Sequence, residues 1–235
     1  MTLKIIHRPS PNFDERNAPV SLLVLHYTGM KTGAEAIARL CDAEAKVSAH
    51  YVVEENGDVY QLVDESKRAW HAGVSFWRGL RNVNANSIGI EIVNPGHEFG
   101  YRKFTDAQYK ALIELCGGIK KRHNIADVNI VGHSDIAPER KADPGELFDW
   151  ELLAKNNIGL SSSGYDPKIQ GRTSQILDSR IKSKNDSSLV ELGYEFHDEG
   201  AITAFQRHWR QDKVNGQWDD ECGQILANLL ETAGR

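Results

Sequence analysis

The chain has 235 residues, of which 40% are hydrophobic and 26% are charged, a composition typical of globular proteins. Its formal net charge of -5 gives no basic footprint for nucleic acid, and no run of residues is long and apolar enough to cross a bilayer. Residues 1–16 lack the apolar core of an export signal. We expect either a cytoplasmic protein or, if an export signal was removed, a periplasmic or outer-membrane-associated one.

The apolar patterning predicts alternating strands and helices. Residues 1–20 are polar and irregular, and residues 69–86 form a long loop. Strands are expected where short apolar runs lie between turn signals, at residues 21–26, 48–53, 59–63, 87–93 and 128–131. Helices are expected where apolar residues recur at helical spacing, at residues 32–45, 105–123 and 148–156. Thr105 and Gln108 have the spacing of a capping box.

The order of these elements predicts an α/β domain, with a central mixed β-sheet flanked by helices. The composition changes after Gly159, where a Ser-rich stretch begins. We expect a catalytic domain at residues 1–160, a linker at 161–180, and a small C-terminal three-helix domain at 181–235. The three short helices are expected at residues 186–196, 201–210 and 219–233.

Three side chains suited to metal binding lie at predicted strand or loop ends: His26, His133 and Asp143. Two imidazoles and one carboxylate, with a fourth position open to water, are typical of catalytic zinc sites. The residues alone leave other interpretations open, such as a hydrogen-bonded histidine at a strand end or a loop carboxylate ahead of a proline. Other histidines compete as ligands on chemistry alone, namely His50, His71, His97 and His123.

Two further charged residues are candidates for catalysis. Glu91 lies inside an apolar strand, where a carboxylate is costly unless it is paired. It is either an edge-strand charge that faces water or a general base whose pKa is raised by burial. Lys141 lies two residues before Asp143, either as a solvated loop lysine or with its ammonium in the same site. The segment after Gly132 is expected to be a loop.

Five ordered motifs carry a resemblance to a known family. They begin at Leu25 (LHYTG), Ser48 (SAHY), Ala69 (AWHAG), Ser87 (SIGIE) and Gly132 (GHSDIAPERKADPG). Residues 20–160 thereby resemble the zinc-dependent N-acetylmuramoyl-L-alanine amidases, the amidase-2 family related to peptidoglycan recognition proteins. Within this family the chain resembles the bacterial branch that accepts 1,6-anhydro-muropeptides and carries a C-terminal helical domain.

The resemblance implies roles for individual residues. His26, His133 and Asp143 would bind Zn²⁺, Glu91 would activate the zinc-bound water, and Lys141 would stabilise the oxyanion. Relatives often carry an arginine nine residues before the glutamate, and this chain has an asparagine there with Arg81 beside it. The residues expected to bind substrate are Tyr27, His50, Trp70, His71, Arg81 and Asn94.

The C-terminal part, through residues 201–206 and 215–219, resembles a peptidoglycan-binding three-helix module, although a plain small core would show the same pattern. The function implied by the resemblance is hydrolysis of the amide between N-acetylmuramic acid, including its 1,6-anhydro form, and L-alanine of peptidoglycan stem peptides. Its partners would be peptidoglycan or muropeptide fragments, in cell-wall turnover or recycling. The alternatives are a non-catalytic peptidoglycan receptor and a zinc hydrolase for an unrelated amide.

Overall fold

A computed structural model describes residues 3–162 and 188–233, and ten strands lie within them. They are β1 (Ile5–His7), β2 (Phe13–Glu15), β3 (Leu22–Tyr27), β4 (Tyr51–Val53), β5 (Val59–Gln61), β6 (Lys67–Ala69), β7 (Phe76–Trp77), β8 (Leu80–Arg81), β9 (Ser87–Ile92) and β10 (Ile130–Gly132). Six of them form the central sheet in the order β1-β5-β4-β9-β3-β10, and two pairs, β2-β6 and β7-β8, stand apart from it.

The central sheet is mixed, since β4 and β5 pair antiparallel and all its other neighbours pair parallel. The carboxyl ends of β3, β9 and β10 therefore meet at one edge, where ligand sites of parallel sheets are usually found. The register places His26 of β3 opposite Glu91 of β9. Two residues that the sequence singled out thus start from neighbouring positions in the sheet.

Eight α-helices occur in the described residues: α1 (Gly33–Leu40), α2 (Gly96–Phe99), α3 (Asp106–His123), α4 (His133–Ile136), α5 (Trp150–Lys155), α6 (Ser188–Leu192), α7 (Glu199–Trp209) and α8 (Asp220–Ala233). The predicted capping box at α3 is confirmed, because Thr105 Oγ1 accepts from Gln108 N and Gln108 Oε1 accepts from Thr105 N. None of the helices described is both long and apolar enough to cross a bilayer.

The two faces of the sheet are covered by different parts of the chain. Alternation along β3 sends Leu23 and Leu25 to one face, where they pack in a core with residues of α3 and α5. Leu22 and Val24 point to the other face and belong to a core that includes buried residues of the three C-terminal helices. The helices after residue 188 therefore share a hydrophobic core with the central sheet.

The sequence predicted the main features correctly, namely the α/β class, the mixed sheet flanked by helices and the helical C-terminal part. The expectation that residues 1–20 are irregular is wrong, since β1 pairs with β5 and β2 pairs with β6. The 69–86 loop also contains the short β7-β8 hairpin. These strands have two or three residues each, and β1 and β2 pair with residues some 50 positions away, which local patterning does not show.

The segment after Gly132 is also not simply a loop, because it begins with the single turn of α4. Most of the predicted linker, residues 163–180, lies outside the described residues. The division of the chain near residue 160 and a peptidoglycan-binding role for the C-terminal helices stay predictions.

Candidate functional site

The three predicted metal ligands lie together at the carboxyl edge of the sheet. His26 Nδ1 is 2.9 Å from His133 Nδ1, and each of these nitrogens is 3.0 Å from Asp143 Oδ2. All three residues are buried. His26 comes from the end of β3, while His133 and Asp143 come from the segment that follows β10. This group could hold a metal ion.

A chain of hydrogen bonds fixes the tautomer of His26. The Ser87 hydroxyl donates to Val83 O at 2.8 Å, so its oxygen accepts a hydrogen bond from His71 Nε2 at 3.1 Å. His71 Nδ1 is then the acceptor facing His26 Nε2 at 3.0 Å. Because these partners assign the proton of His26 to Nε2, its Nδ1 presents a lone pair to the group. Hydrogen bonds of this kind orient histidine ligands in metal sites.

His133 is oriented in the same way. Its Nε2 donates to the backbone carbonyl of Ala72 at 3.1 Å, which leaves Nδ1 without a proton in the neutral ring. Two imidazole lone pairs and one carboxylate oxygen thus face one another at about 3 Å, an arrangement that is repulsive without a cation between them. Tetrahedral zinc with bonds of roughly 2.0–2.1 Å would separate its ligands by about 3.3 Å, so the donor set fits such an ion.

Burial and mutual contacts shift the ionisation of this group. Burial, reinforced by neighbouring His133, lowers the pKa of His26 to about 4. Burial alone would raise the pKa of the Asp143 carboxyl, but the two imidazoles beside it hold that pKa well below its usual range. Near neutral pH, the site therefore offers a neutral His26 ring and a carboxylate, the forms that metal binding requires.

Glu91 and Lys141 line the same cleft as the three predicted ligands, a cavity of about 510 Å³. Glu91 Oε2 is buried and has no hydrogen-bond partner among the described residues. Burial raises the pKa of the Glu91 carboxyl well above its usual range, the nearby Asp143 raises it further, and Lys141 opposes the shift. A carboxyl group held in this way is suited to accept and return a proton at neutral pH.

Local contacts shape the segment that carries His133, Lys141 and Asp143. Ser134 N donates to Asp143 O at 2.9 Å, which brings the end of the segment back to its start. Gly132 allows this approach, because a Cβ atom there would lie 2.8 Å from Pro144 Cδ. The two ends of the segment therefore meet beside β10 and present both ligands to the cleft.

The predicted substrate-binding residues divide into two groups. Tyr27 and His71 line the cleft. His50, which the resemblance also implied, is buried behind it, where its Nδ1 accepts from Gly89 N at 3.0 Å and its Nε2 donates to Lys67 O at 3.1 Å. Burial lowers the pKa of His50 to about 3, which is consistent with a neutral ring in a structural role.

The other three predicted substrate residues lie outside the residues that line the cleft. The indole N–H of Trp70 donates to Asp14 Oδ2 at 2.7 Å. Arg81 is exposed and forms an ion pair with Glu195. Asn94 is buried, and its side-chain amide donates to Arg102 O at 2.7 Å. As the structure describes them, these side chains stabilise surrounding loops rather than the cleft wall.

Sequence analysis assigned no role to two charged residues of the GHSDIAPERKADPG motif, Asp135 and Arg140, although both make specific contacts in the structure. Arg140 lines the cleft, and its guanidinium donates to the carbonyls of Ala72 and Val74. Asp135 is buried two residues after His133. Both residues lie in a segment that we expected to be a loop. The side-chain partners of Arg140, and two of the three donors to Asp135, are more than 50 residues away in the sequence. The sequence did offer one signal for both residues, since they are charged and lie in the same motif as two predicted metal ligands.

Known proteins resemble this chain in sequence and in structure. The family model described as N-acetylmuramoyl-L-alanine amidase matches residues 16–146. The chain is 38% identical to N-acetylmuramoyl-L-alanine amidase AmiD of Escherichia coli, over 92% of this chain and 84% of the relative. It is 40% identical to 1,6-anhydro-N-acetylmuramyl-L-alanine amidase AmpD of Haemophilus influenzae, over 60% of this chain and 86% of the relative.

A solved structure extends the likeness to nearly the whole fold. The complex of Escherichia coli AmiD with the substrate anhydro-N-acetylmuramic acid-L-Ala-D-gamma-Glu-L-Lys matches with a TM-score of 0.78 and 36% identity, over 93% of this chain and 92% of that chain. The fold, the cleft and the sequence agree, and the chain belongs to the family of N-acetylmuramoyl-L-alanine amidases.

Proposed function

We propose that this amidase is zinc-dependent and hydrolyses the amide between the lactyl group of 1,6-anhydro-N-acetylmuramic acid and the L-alanine of a stem peptide. The observation that carries the proposal is the triangle of Nδ1, Nδ1 and Oδ2 atoms, each about 3 Å from the others, in a cleft shared with Glu91. Glu91 and Lys141 beside this donor set favour hydrolysis over recognition without catalysis.

His26, His133 and Asp143 would hold the zinc ion. Two nitrogens, one oxygen and an open fourth position suit zinc in a catalytic site. When bound, zinc would lower the pKa of a water molecule toward neutrality and polarise the substrate carbonyl. The hydrogen bonds from His26 to His71 and from His133 to Ala72 orient both rings so that their Nδ1 atoms would face the ion.

Glu91 would act as the general base. Its carboxylate takes a proton from the attacking water and delivers it to the leaving nitrogen of L-alanine as the carbon–nitrogen bond breaks. The raised pKa of Glu91 matches both directions of this transfer. Lys141 would donate a charged hydrogen bond to the oxyanion that develops on the lactyl carbonyl. The products are the muramyl carboxylate and a peptide with a free amino terminus.

The proposed substrate form follows from relatives. E. coli AmiD was solved with an anhydromuramyl tripeptide as its substrate, and the H. influenzae relative is named for the 1,6-anhydro sugar. The cleft of about 510 Å³ lies within the range of pockets that take small ligands. Soluble anhydro-muropeptides are therefore the substrate that we propose, with intact peptidoglycan as a second substrate to be measured beside them.

A product assay tests this proposal. Purified protein is mixed with an anhydro-N-acetylmuramyl tripeptide, and the released amino terminus and the sugar acid are identified by mass spectrometry. We expect cleavage at the lactyl–alanine amide by the parent protein and little by Glu91→Gln. Cleavage at a peptide bond, or equal rates for the two proteins, would contradict the proposal. A parallel assay on intact sacculi measures how far activity extends to the polymer.

A further inference from the structure

Asp135 is a buried carboxylate that the proposed chemistry does not use. It lies in α4, two residues after His133, and its side chain is 0% exposed. Three donors surround it: Gly132 N at 2.7 Å, the Tyr194 hydroxyl at 2.6 Å and His208 Nδ1 at 2.7 Å. A buried carboxylate requires such donors, because an unpaired charge in the interior is strongly unfavourable.

Two of these three donors come from the C-terminal part of the chain, and both rings are held in place by packing. The Tyr194 ring, two residues after the end of α6, packs edge-on against Trp77 with centroids 5.1 Å apart. The His208 ring, in α7, lies between Trp150 at 3.8 Å and Trp209 at 3.6 Å. Tyr194 and His208 therefore approach Asp135 in fixed orientations.

Arg207 in α7 and Gln211, two residues after this helix, make further contacts close to the same site. Gln211 Nε2 donates to Phe148 O at 2.6 Å, and Arg207 Nε lies 3.9 Å from Glu146 Oε2. These partners follow closely after Asp143. The C-terminal helices thus contact residues on both sides of the stretch that supplies Lys141 and Asp143.

The local chemistry explains why this support matters. Gly132 N donates to Asp135 Oδ2 immediately before His133, so the position of this carboxylate sets the start of the helical turn that carries the ligand. Ser134 N in turn donates to Asp143 O. A shift of Asp135 would therefore move both ligands of the segment relative to His26, which is fixed in the sheet.

We infer that the C-terminal helices are part of the metal site's scaffold, and that Asp135 is a positioning residue through which Tyr194 and His208 hold His133 and Asp143 in place. The inference rests on the proposed function, because it assumes that these two residues bind zinc. It assigns a role to the C-terminal helices that does not depend on peptidoglycan binding.

A matched pair of tyrosine variants tests the inference in the full-length protein. Tyr194→Phe removes the hydroxyl bound to Asp135, and Tyr51→Phe removes another buried hydroxyl, which donates to Glu65 Oε1 at 2.8 Å away from the cleft. Zinc affinity is measured by chelator competition at 25 °C, and thermal unfolding is recorded for both metal-free variants. We expect both variants to lose thermal stability and only Tyr194→Phe to bind zinc about tenfold more weakly, as for other outer contacts of metal ligands.

A second pair separates the hydrogen bond of His208 from its packing. His208→Asn keeps a donor at the place of Nδ1 but loses the ring, whereas His208→Phe keeps a stacked ring and loses the donor. If Asp135 acts as inferred, His208→Asn retains more of the parent's zinc affinity than His208→Phe. If stacking alone matters, the order is reversed and the inference is wrong.

The outcomes distinguish the inference from the proposed function. A parent protein that binds no zinc would contradict the proposed function itself. A parent that binds zinc, with Tyr194→Phe and His208→Phe both within twofold of its affinity, would overturn the inference alone. Weaker zinc binding in Tyr51→Phe equal to that in Tyr194→Phe would also overturn it, since general destabilisation would then explain both.

Discussion

The site is assembled from two regions that are held in different ways. His26 and Glu91 lie opposite each other on β3 and β9, two neighbouring strands inside the central sheet, and form the strand-held region. His133, Lys141 and Asp143 lie on or beyond the single helical turn that follows β10 and form the segment-held region. Backbone ladders hold the first region on both sides, whereas side chain–backbone bonds and the C-terminal helices hold the second.

The difference shows why one site depends on distant parts of the chain. Central strands position side chains with little further help, because each is hydrogen-bonded on two edges. The segment after β10 lacks such neighbours and relies on Asp135, and two of the three donors to this carboxylate come from beyond residue 190. The following predictions test this division, beginning with the largest expected effect.

Removal of a ligand from either region should abolish metal binding and activity together. We expect His26→Ala and His133→Ala to retain no zinc after dialysis and to show only background amide cleavage. Each variant keeps only two of the three protein ligands that a catalytic zinc site normally has. Metal content by mass spectrometry and turnover of anhydro-muropeptide are the measurements. His26→Ala with parental zinc content would show that the strand-held region contributes no ligand.

Glu91→Gln should separate metal binding from catalysis within the strand-held region. We expect zinc content to stay at the parental level and turnover to fall on the order of a hundredfold or more, the usual contribution of a general base. Glu54→Gln is a suitable control, because burial also raises the pKa of Glu54 although this residue lies outside those lining the cleft. A turnover of Glu91→Gln within a few-fold of the parent would make Glu91 a structural residue.

Lys141→Met should likewise separate metal binding from catalysis, in the segment-held region. We expect zinc to be retained and kcat to fall on the order of a hundredfold, as when one oxyanion donor is removed. The exposed Lys103, changed to Met, controls for the loss of a positive charge. If Lys141→Met and Lys103→Met show equal kcat values, Lys141 does not stabilise the oxyanion.

His71→Phe should show that the strand-held ligand also has outer support, though a local one. Loss of the acceptor for His26 Nε2 is expected to weaken zinc binding about tenfold, the lower end of the range for such partners. Ser87→Ala, one hydrogen bond further from the metal site, should have a smaller effect. Zinc affinities in the reverse order would show that this chain of hydrogen bonds does not orient His26.

The smallest effects are expected at residues that the resemblance implied but the structure places away from the cleft. Trp70→Phe and Arg81→Gln should leave KM for soluble anhydro-muropeptide within about twofold of the parent, because neither side chain lines the cavity. Steady-state kinetics measure this directly. A large rise in KM for Arg81→Gln would support the substrate contact that the sequence suggested.

The two regions also differ in how well the sequence predicted them. The strand-held region was predicted closely, since continuous apolar runs marked β3 and β9 and a carboxylate inside such a run stood out at Glu91. In the segment, His133 and Asp143 were predicted as metal ligands from their residue types and from the family motifs. The turn of α4 was missed, because two prolines and many charges over residues 132–145 suggested an open loop.

The support for the segment could not be predicted from local patterns. Tyr194 and His208 contact Asp135 across 59 and 73 positions of sequence, and neither residue stands out in its own helix. The Ser-rich break near residue 161 suggested a C-terminal module, and this break gives no sign of the core that the C-terminal helices share with β3. Such long-range contacts depend on how the assembled faces pack, which apolar periodicity does not specify.

The central claim is that this amidase works through a zinc ion held by His26, His133 and Asp143. The most direct test measures metal content and anhydro-muropeptide cleavage before chelation, after exhaustive chelation and after zinc is restored. We predict about one zinc per chain, loss of cleavage with the metal and recovery when zinc is returned. Cleavage at the full rate by protein shown to be metal-free would contradict the claim.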